Sequence, residues 1–402
     1  AVEKAAAVPV HPLNAAAGHS DCLGGGSDAA DLELLIAVPS KLSQRRRRDA
    51  VRATWLSRLP PGVHACFFVA TLSPPYVDDA ILGDGERPQE MPGGAAEATA
   101  APVSQGDDQA GHEARIGEED VLRGELLAAE TSRFRDVVQL PLLRESYYNL
   151  TLMTLEILAS VAAAPRKARF ILKADDDVFV NVPALLARLA LFPPNATKVY
   201  LGLISEFAHA KPVVEGTHKW KIDKEEYSHK YWPPYHYGFG YVLSSDLLPV
   251  LLRCRVLNPE CTAPRRATPS SPVAMNYHTC ETVSPSCPFR PVRFEDVTVG
   301  GILYFHLTGE DPATTRFNGE SRAAVAAVRN RSAEVFVSDE RFLSEPWVWG
   351  CREDFLVCHR VGAAKMRIFW GLKGTENEIS ICKPLGGLTE YFDQYKLKPE
   401  DY

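Results

Sequence analysis

The chain has 402 residues, 46% of them hydrophobic, and a formal net charge of −7. That is ample apolar material for a large core, and the mildly acidic balance gives no global pull toward nucleic acid or an anionic membrane surface. No apolar run approaches the ~18 residues of a spanning helix, and the nine cysteines contain no Cys-x2-Cys pair of the zinc-binding kind.

Residues 1–30 are rich in Ala, Gly, Ser and His without any period and read as a stem or linker. The chain begins at Ala1 rather than Met, so its start is read as processed or trimmed, and the lack of an anchor here does not argue against a membrane-anchored parent. Leu34 to Val38 is a short buried strand, ended by Pro39-Ser40. In the run Gln44 to Leu56, Ala50, Val51, Thr54 and Trp55 recur at helical spacing, with arginines on the other face. Ala65 to Leu72 is a second apolar strand, in which Cys66 reads as a buried free thiol. Strand, helix and strand at this spacing make a βαβ unit and imply a parallel sheet. From about 73 to 117 periodicity vanishes and Gly, Pro, Ala and acidic residues dominate, as in a disordered loop.

Asp136 to Leu140 is a third strand, and Ser146 to Ala162 a helix with Leu150, Met153, Ile157 and Val161 along one face. Pro165 ends it. Phe170 to Leu172 then has the composition of a buried strand and runs into Asp175-Asp176-Asp177. A strand interior cannot hold unpaired carboxylates, so the triplet belongs at the strand's C-terminal end, where open α/β sheets bind ligands. It is either a solvated acidic turn or a site for a hard divalent cation. The spaced acids and glycine of an EF-hand loop are missing. Asn181 and Pro183 suit the start of the next helix, and Lys198 to Gly202 is another strand.

An aromatic-rich segment follows, from Trp220 through Tyr227 and Trp232 to Tyr235-His-Tyr-Gly-Phe-Gly-Tyr-Val242. Gly238 and Gly240 within a strand pattern mark a close approach of backbone to a ligand. The aromatics would suit a sugar ring, or are ordinary core. Residues 255–292 form a long irregular loop beside Cys254, Cys261, Cys280 and Cys287, which needs pinning by disulfides. It leads into Glu295-Asp296 and an apolar run. The acids are candidate proton acceptors or a helix N-terminal pair. Phe355 to Trp370 reads as a strand carrying His359, then a helix, and 373–402 is an unplaced tail. The cysteines and the sequons at Asn149, Asn195 and Asn330 lean toward a secretory compartment.

Taken together, Arg48-Asp-Ala-Val-Arg-Ala-Thr-Trp55, Glu145-Ser-Tyr-Tyr-Asn-Leu-Thr151, Lys173-Ala-Asp-Asp-Asp177, the Tyr235 to Val242 segment, Glu295-Asp-Val297 and His359 with Met366 and Trp370 resemble, in order, the motifs of one family. It is the β-1,3-galactosyltransferase and β-1,3-N-acetylglucosaminyltransferase family. Val199 to Ile204, Lys211-Pro212 and Lys219-Trp220 are similar to the subgroup that adds the second galactose of the glycosaminoglycan linker. Glu145 and Met153 depart from the family's usual Asp and Lys, and the two insertions exceed its usual loops.

The resemblance implies an α/β GT-A fold over 31–372, with a mostly parallel central sheet, flanking helices and a Rossmann-like nucleotide-binding half. It implies inverting transfer of galactose from UDP-galactose, with Mn²⁺, to a sugar hydroxyl of a glycan, glycoprotein or proteoglycan, at the luminal face of the Golgi membrane. The rival donors are UDP-N-acetylglucosamine and UDP-N-acetylgalactosamine, and the rival of another class is an inactive glycan- or partner-binding module. Asp177 and His359 would hold the metal, with His306 the competing imidazole. Asp175 and Asp176 would contact ribose or a metal-bound water. Asp296 would be the general base, with Glu295 the alternate. Arg52, Trp220, Tyr235, Gly238 and Gly240 would line the donor site, Arg52 being as readily a structural partner of Asp49 or another acid.

Overall fold

A computed structural model describes residues 21–24, 31–72, 124–145, 149–205, 231–255, 287–310, 336–343 and 355–372, with isolated positions between 212 and 229. Most of residues 1–30, the 73–117 segment, Trp220, most of the 255–292 loop and the 373–402 tail lie outside the described residues.

The chain runs β1 (Leu32–Pro39), α1 (Arg45–Ala53), β2 (Val63–Leu72), α2 (124–134), β3 (Val137–Arg144), α3 (Leu150–Ala163), β4 (Ala168–Ala174), β5 (Phe179–Val180) and α4 (Val182–Leu189). It continues through β6 (Tyr200–Ile204), β7 (His236–Ser244), α5 (Leu248–Leu252), α6 (Glu295–Thr308), β8 (Val337–Ser338), β9 (Phe342–Leu343), β10 (Val357–Cys358) and α7 (Ala363–Leu372).

The main sheet has seven strands in the order β3-β2-β1-β4-β7-β6-β8. Every strand in it except β7 runs in one direction, because β7 is antiparallel to both β4 and β6 while the other pairings are parallel. This is a mixed α/β, mostly parallel sheet of the GT-A kind. Alternate residues of β1 feed two apolar layers: Leu32, Leu35 and Ala37 on one face, Leu34, Ile36 and Val38 on the other. The continuous apolar runs of the sequence follow from this burial on both faces. α3, α5 and α6 cover the first face, and α1, α4 and α7 the second.

The strand order places a topological switch between β1 and β4. The chain moves outward from β1 to β2 and β3, then returns to β4 on the other side of β1. The crevice outside the C-terminal ends of β1 and β4 is where such sheets bind ligands. A second, three-stranded sheet, β5-β10-β9, stands beside that crevice.

Cys66 is not a free thiol. It is bonded to Cys22, which ties the segment before β1 to β2. The apolar strand around Cys66 hid the partner, because Cys22 sits in a stretch with no period of its own. Cys254 and Cys287 are bonded across the long insertion, as its length requires. Cys358, at the end of β10, is free and buried.

Candidate active site

The acid triplet follows directly on β4, whose last residue is Ala174. Its backbone is fixed on both sides. Asp175 N–H donates to the Phe239 carbonyl at 3.0 Å, and Val361 N–H donates to the Asp177 carbonyl at 2.7 Å. Pairing in the small sheet then sets the imidazole. Phe179 is opposite Cys358 in an antiparallel pair, so the next residue of each strand outward brings His359 to the triplet. The His359 ring stacks on Phe239, with centroids 4.9 Å apart and planes 11° from parallel.

One oxygen each of Asp175 and Asp177 and one nitrogen of His359 lie within 4.8 Å of one another. His359 Nε2 is 3.8 Å from Asp177 Oδ1, and that oxygen is buried without a hydrogen-bond partner. An orphaned carboxylate oxygen facing an imidazole nitrogen is costly unless a cation sits between them. Two ligand atoms held ~2.1–2.5 Å from one ion stand roughly 3–4 Å apart. Oxygen plus imidazole nitrogen suits a divalent ion of the Mn²⁺ class. The residues present therefore fit such a group.

Asp175, expected to reach ribose or a metal-bound water, stands with Asp177 and His359 in this cluster. Asp176 turns inward. Its Oδ2 accepts from Ser40 Oγ at 2.7 Å and its Oδ1 from Arg47 Nη1 at 3.1 Å. Burial raises its pKa, against the Arg47 charge and the Ser40 hydrogen bond. Ser40 in turn accepts from Arg48 Nη1 at 3.1 Å, and Arg48 is a buried bidentate partner of Glu130. Trp55 Nε1 donates to the Val178 carbonyl at 3.1 Å. The Arg48 to Trp55 motif thus holds the acid turn from one side.

Arg52 is not at the triplet. It is engaged by Glu130, Asp136 and Asp49, and its guanidinium lies over the Phe134 ring. The described arginine that reaches the acids is Arg47, 3.6 Å from Asp177 Oδ2. Sequence reading missed it because a run of four arginines on a nine-residue helix does not say which one faces the sheet.

The second acidic pair opens α6. Gly300 lets this helix approach closely: a Cβ there would stand 2.5 Å from the Pro234 carbonyl and 2.3 Å from Tyr235 Cβ. Tyr235 is buried at this contact, and Trp232 packs against Phe294. Gly240 admits Val357, which belongs to the strand preceding His359. Gly238 faces the acids: a Cβ there would meet Glu295 Oε2 at 2.8 Å and Asp296 Oδ2 at 3.5 Å.

Glu295 is buried, accepts from Tyr241 Oη at 2.5 Å and lies 3.6 Å from Lys173 Nζ. Burial pushes its pKa up to about 7, with Lys173 opposing and Asp296 adding. Asp296 is half-buried. Its Oδ1 accepts from Val297 N–H at 2.9 Å. Burial pushes it up to about 6, against backbone N–H groups and Lys173. A carboxylate poised near neutrality can accept a proton.

Lys173, near the end of β4, joins the two acid groups. Its ammonium contacts Asp175 Oδ1 at 2.6 Å, the Gly238 carbonyl and Glu295. Burial works against the charge, but Asp175 and Glu295 overcome it and hold the lysine pKa above its ordinary value. A lysine inside an apolar strand was the available signal for this role. His306, the competing imidazole, lies eleven residues along α6 from Glu295, about 16 Å away at 1.5 Å per residue.

A family model described as Galactosyltransferase matches residues 116–260. The chain is 33% identical over 227 residues to the human protein named UDP-GlcNAc:betaGal beta-1,3-N-acetylglucosaminyltransferase 9, covering 56% of this chain and 48% of that one. It is 34% identical over 118 residues to mouse Beta-1,3-galactosyltransferase 5, covering 29% and 37%. It is 37% identical over 121 residues to the Arabidopsis thaliana Hydroxyproline O-galactosyltransferase GALT6, covering 30% and 17%. The chain spans less than half the length of these curated relatives. The matches and the ordered motifs agree: over residues 116–260 the chain matches the Galactosyltransferase family model, and it is similar to β-1,3-galactosyltransferases and β-1,3-N-acetylglucosaminyltransferases.

Proposed function

We propose that this chain is a metal-dependent, inverting β-1,3-glycosyltransferase that moves galactose from UDP-galactose to a glycan hydroxyl. The acceptor we favour is the galactosyl-xylose of a glycosaminoglycan linker. One observation carries the reading: an oxygen and imidazole cluster at the end of β4 and a half-open aspartate at the start of α6, joined through Lys173. Asp177, Asp175 and His359 would hold the cation. Once bound, it supplies Lewis-acid stabilisation of the leaving diphosphate, worth several kcal/mol.

The chain's own residues do the rest. The crevice between β1 and β4 receives the nucleotide. Asp296 takes the proton of the acceptor hydroxyl as that oxygen bonds to the anomeric carbon and the bond from carbon to phosphate oxygen breaks, releasing UDP. A positioned base contributes roughly 10²–10⁴-fold. Glu295, held by Tyr241 and Lys173, keeps Asp296 in place rather than reacting itself.

A human relative matched over 56% of this chain is named for N-acetylglucosamine transfer, which favours UDP-N-acetylglucosamine as the second reading of the donor. A panel of UDP-sugars with Mn²⁺, followed by acceptor screening from galactosyl-xylose, separates the two. Galactose transfer to galactosyl-xylose is expected. Transfer only of N-acetylglucosamine, or only to N-acetylglucosamine-terminated acceptors, would overturn the donor or acceptor assignment.

The Golgi lumen is the proposed location. The two disulfides and the exposed sequon at Asn195 support an oxidising, glycosylating compartment. Among the described residues, no helix is long and apolar enough to cross a membrane.

A further inference from the structure

Asp177 has two faces. Oδ1 is buried, has no hydrogen-bond partner and stands 3.8 Å from His359 Nε2. Oδ2 faces the opposite way, 3.6 Å from Arg47 Nη1, which also lies 3.1 Å from Asp176 Oδ1. Arg47 differs from its neighbours on α1. Arg48 is buried against Glu130, and Arg45 and Arg52 pair with Asp49 and Glu130. The Arg47 side chain keeps 28% of its surface and sits at the mouth of the crevice between β1 and β4.

We infer that Arg47 is a positioning residue with two successive partners: the acid turn before the donor arrives, and the donor's diphosphate afterwards. The inference rests on the metal and donor assignments above. A guanidinium and a divalent ion on one carboxylate repel each other. Each weakens the other's hold on Asp177 until an anion lies between them. A diphosphate is that anion, and a guanidinium fork binds phosphate oxygens in pairs. Arg47 therefore opposes metal binding to the empty enzyme and favours it once the nucleotide is present. This orders loading and offsets part of the acid turn's charge in the meantime.

The test is equilibrium binding of Mn²⁺, read from the electron paramagnetic resonance signal of the free ion, with and without UDP. It uses the full chain as wild type, Arg47→Ala, Arg47→Lys and Asp177→Ala. Removing the competing charge should tighten Mn²⁺ binding about 3–10-fold without nucleotide, while UDP binding at saturating Mn²⁺ weakens about tenfold or more. Arg47→Lys should leave Mn²⁺ affinity near wild type and weaken UDP by a smaller factor, since a point charge cannot reproduce the fork. It also carries the test if Arg47→Ala does not fold. A merely structural arginine would weaken both ligands together, and that result, or no change in either, would overturn the inference. Wild-type protein that binds no Mn²⁺, or binds it as well after Asp177→Ala, would overturn the metal assignment and the inference with it.

Discussion

At the scale of single residues, the site separates two adjacent acids that sequence alone left interchangeable. Glu295 is buried and held by Tyr241 and Lys173, whereas Asp296 is half-buried. Asp296→Asn should lower kcat about 10²–10⁴-fold with UDP affinity unchanged. In the wild type, activity should rise with pH through about 6, as Asp296 loses its proton. That limb should vanish in the variant's residual rate, and a variant keeping both rate and pH limb would move the base elsewhere. Glu295 gives a stability counterpart. Its pKa is about 7 in the folded chain against an ordinary 4.5. Between those values the folded chain holds a proton that the unfolded chain has released. Stability therefore falls as pH rises through that window, by about 3 kcal/mol for the whole shift. Glu295→Gln should flatten the dependence of melting temperature on pH between 4.5 and 7, and an unchanged slope would contradict the assignment. Gly238→Ala places a Cβ 2.8 Å from Glu295 Oε2, on a carboxylate held through Oε1 by Tyr241 and paired at Oε2 with Lys173. It should cost about 1–3 kcal/mol of stability and most of the activity, measured by thermal melting and by transfer rate.

At the scale of elements, α1 and its following turn brace the acid turn. Arg48 reaches Asp176 through Ser40, and Trp55 holds the Val178 carbonyl. Breaking a buried pair by removing one partner typically costs about 3–5 kcal/mol. Glu130→Ala should do so here by denaturant unfolding, and a loss under 1 kcal/mol would argue that water reaches Arg48. The strands, helix starts and strand-end placement of the triplet were legible because apolar period and capping residues are local properties. Asn181, for example, accepts from Ala184 N–H at the start of α4, as its side chain suggested. What was not legible depends on contacts between distant segments. Cys22 with Cys66, Asp176 with Ser40, and Arg47 rather than Arg52 at the acids are all fixed by tertiary packing that no spacing rule encodes. The aromatic segment left sugar platform and core both open, and the fold buries Tyr235 with its Cβ against Gly300 of α6.

At the scale of the whole molecule, the strand order sets out the chemistry. The parallel half, β3-β2-β1-β4, ends in the crevice with Ser40, Arg47 and the acid triplet. The reversed strand β7 then carries Gly238 and Phe239 between the Asp175, Asp177 and His359 cluster and α6. The secretory assignment has its own check. Asn195 lies in an exposed turn after α4, so protein made in a eukaryotic secretory host should show a glycosidase-sensitive mass that Asn195→Gln reduces. No change would remove that support. The central claim is that Asp177 and His359 hold a cation without which sugar is not transferred. Its most direct test is galactose transfer from UDP-galactose to galactosyl-xylose, measured with Mn²⁺ and with chelator, in wild type and Asp177→Ala. Transfer is predicted only in the wild type with Mn²⁺. Equal rates with chelator, or in Asp177→Ala, would contradict it.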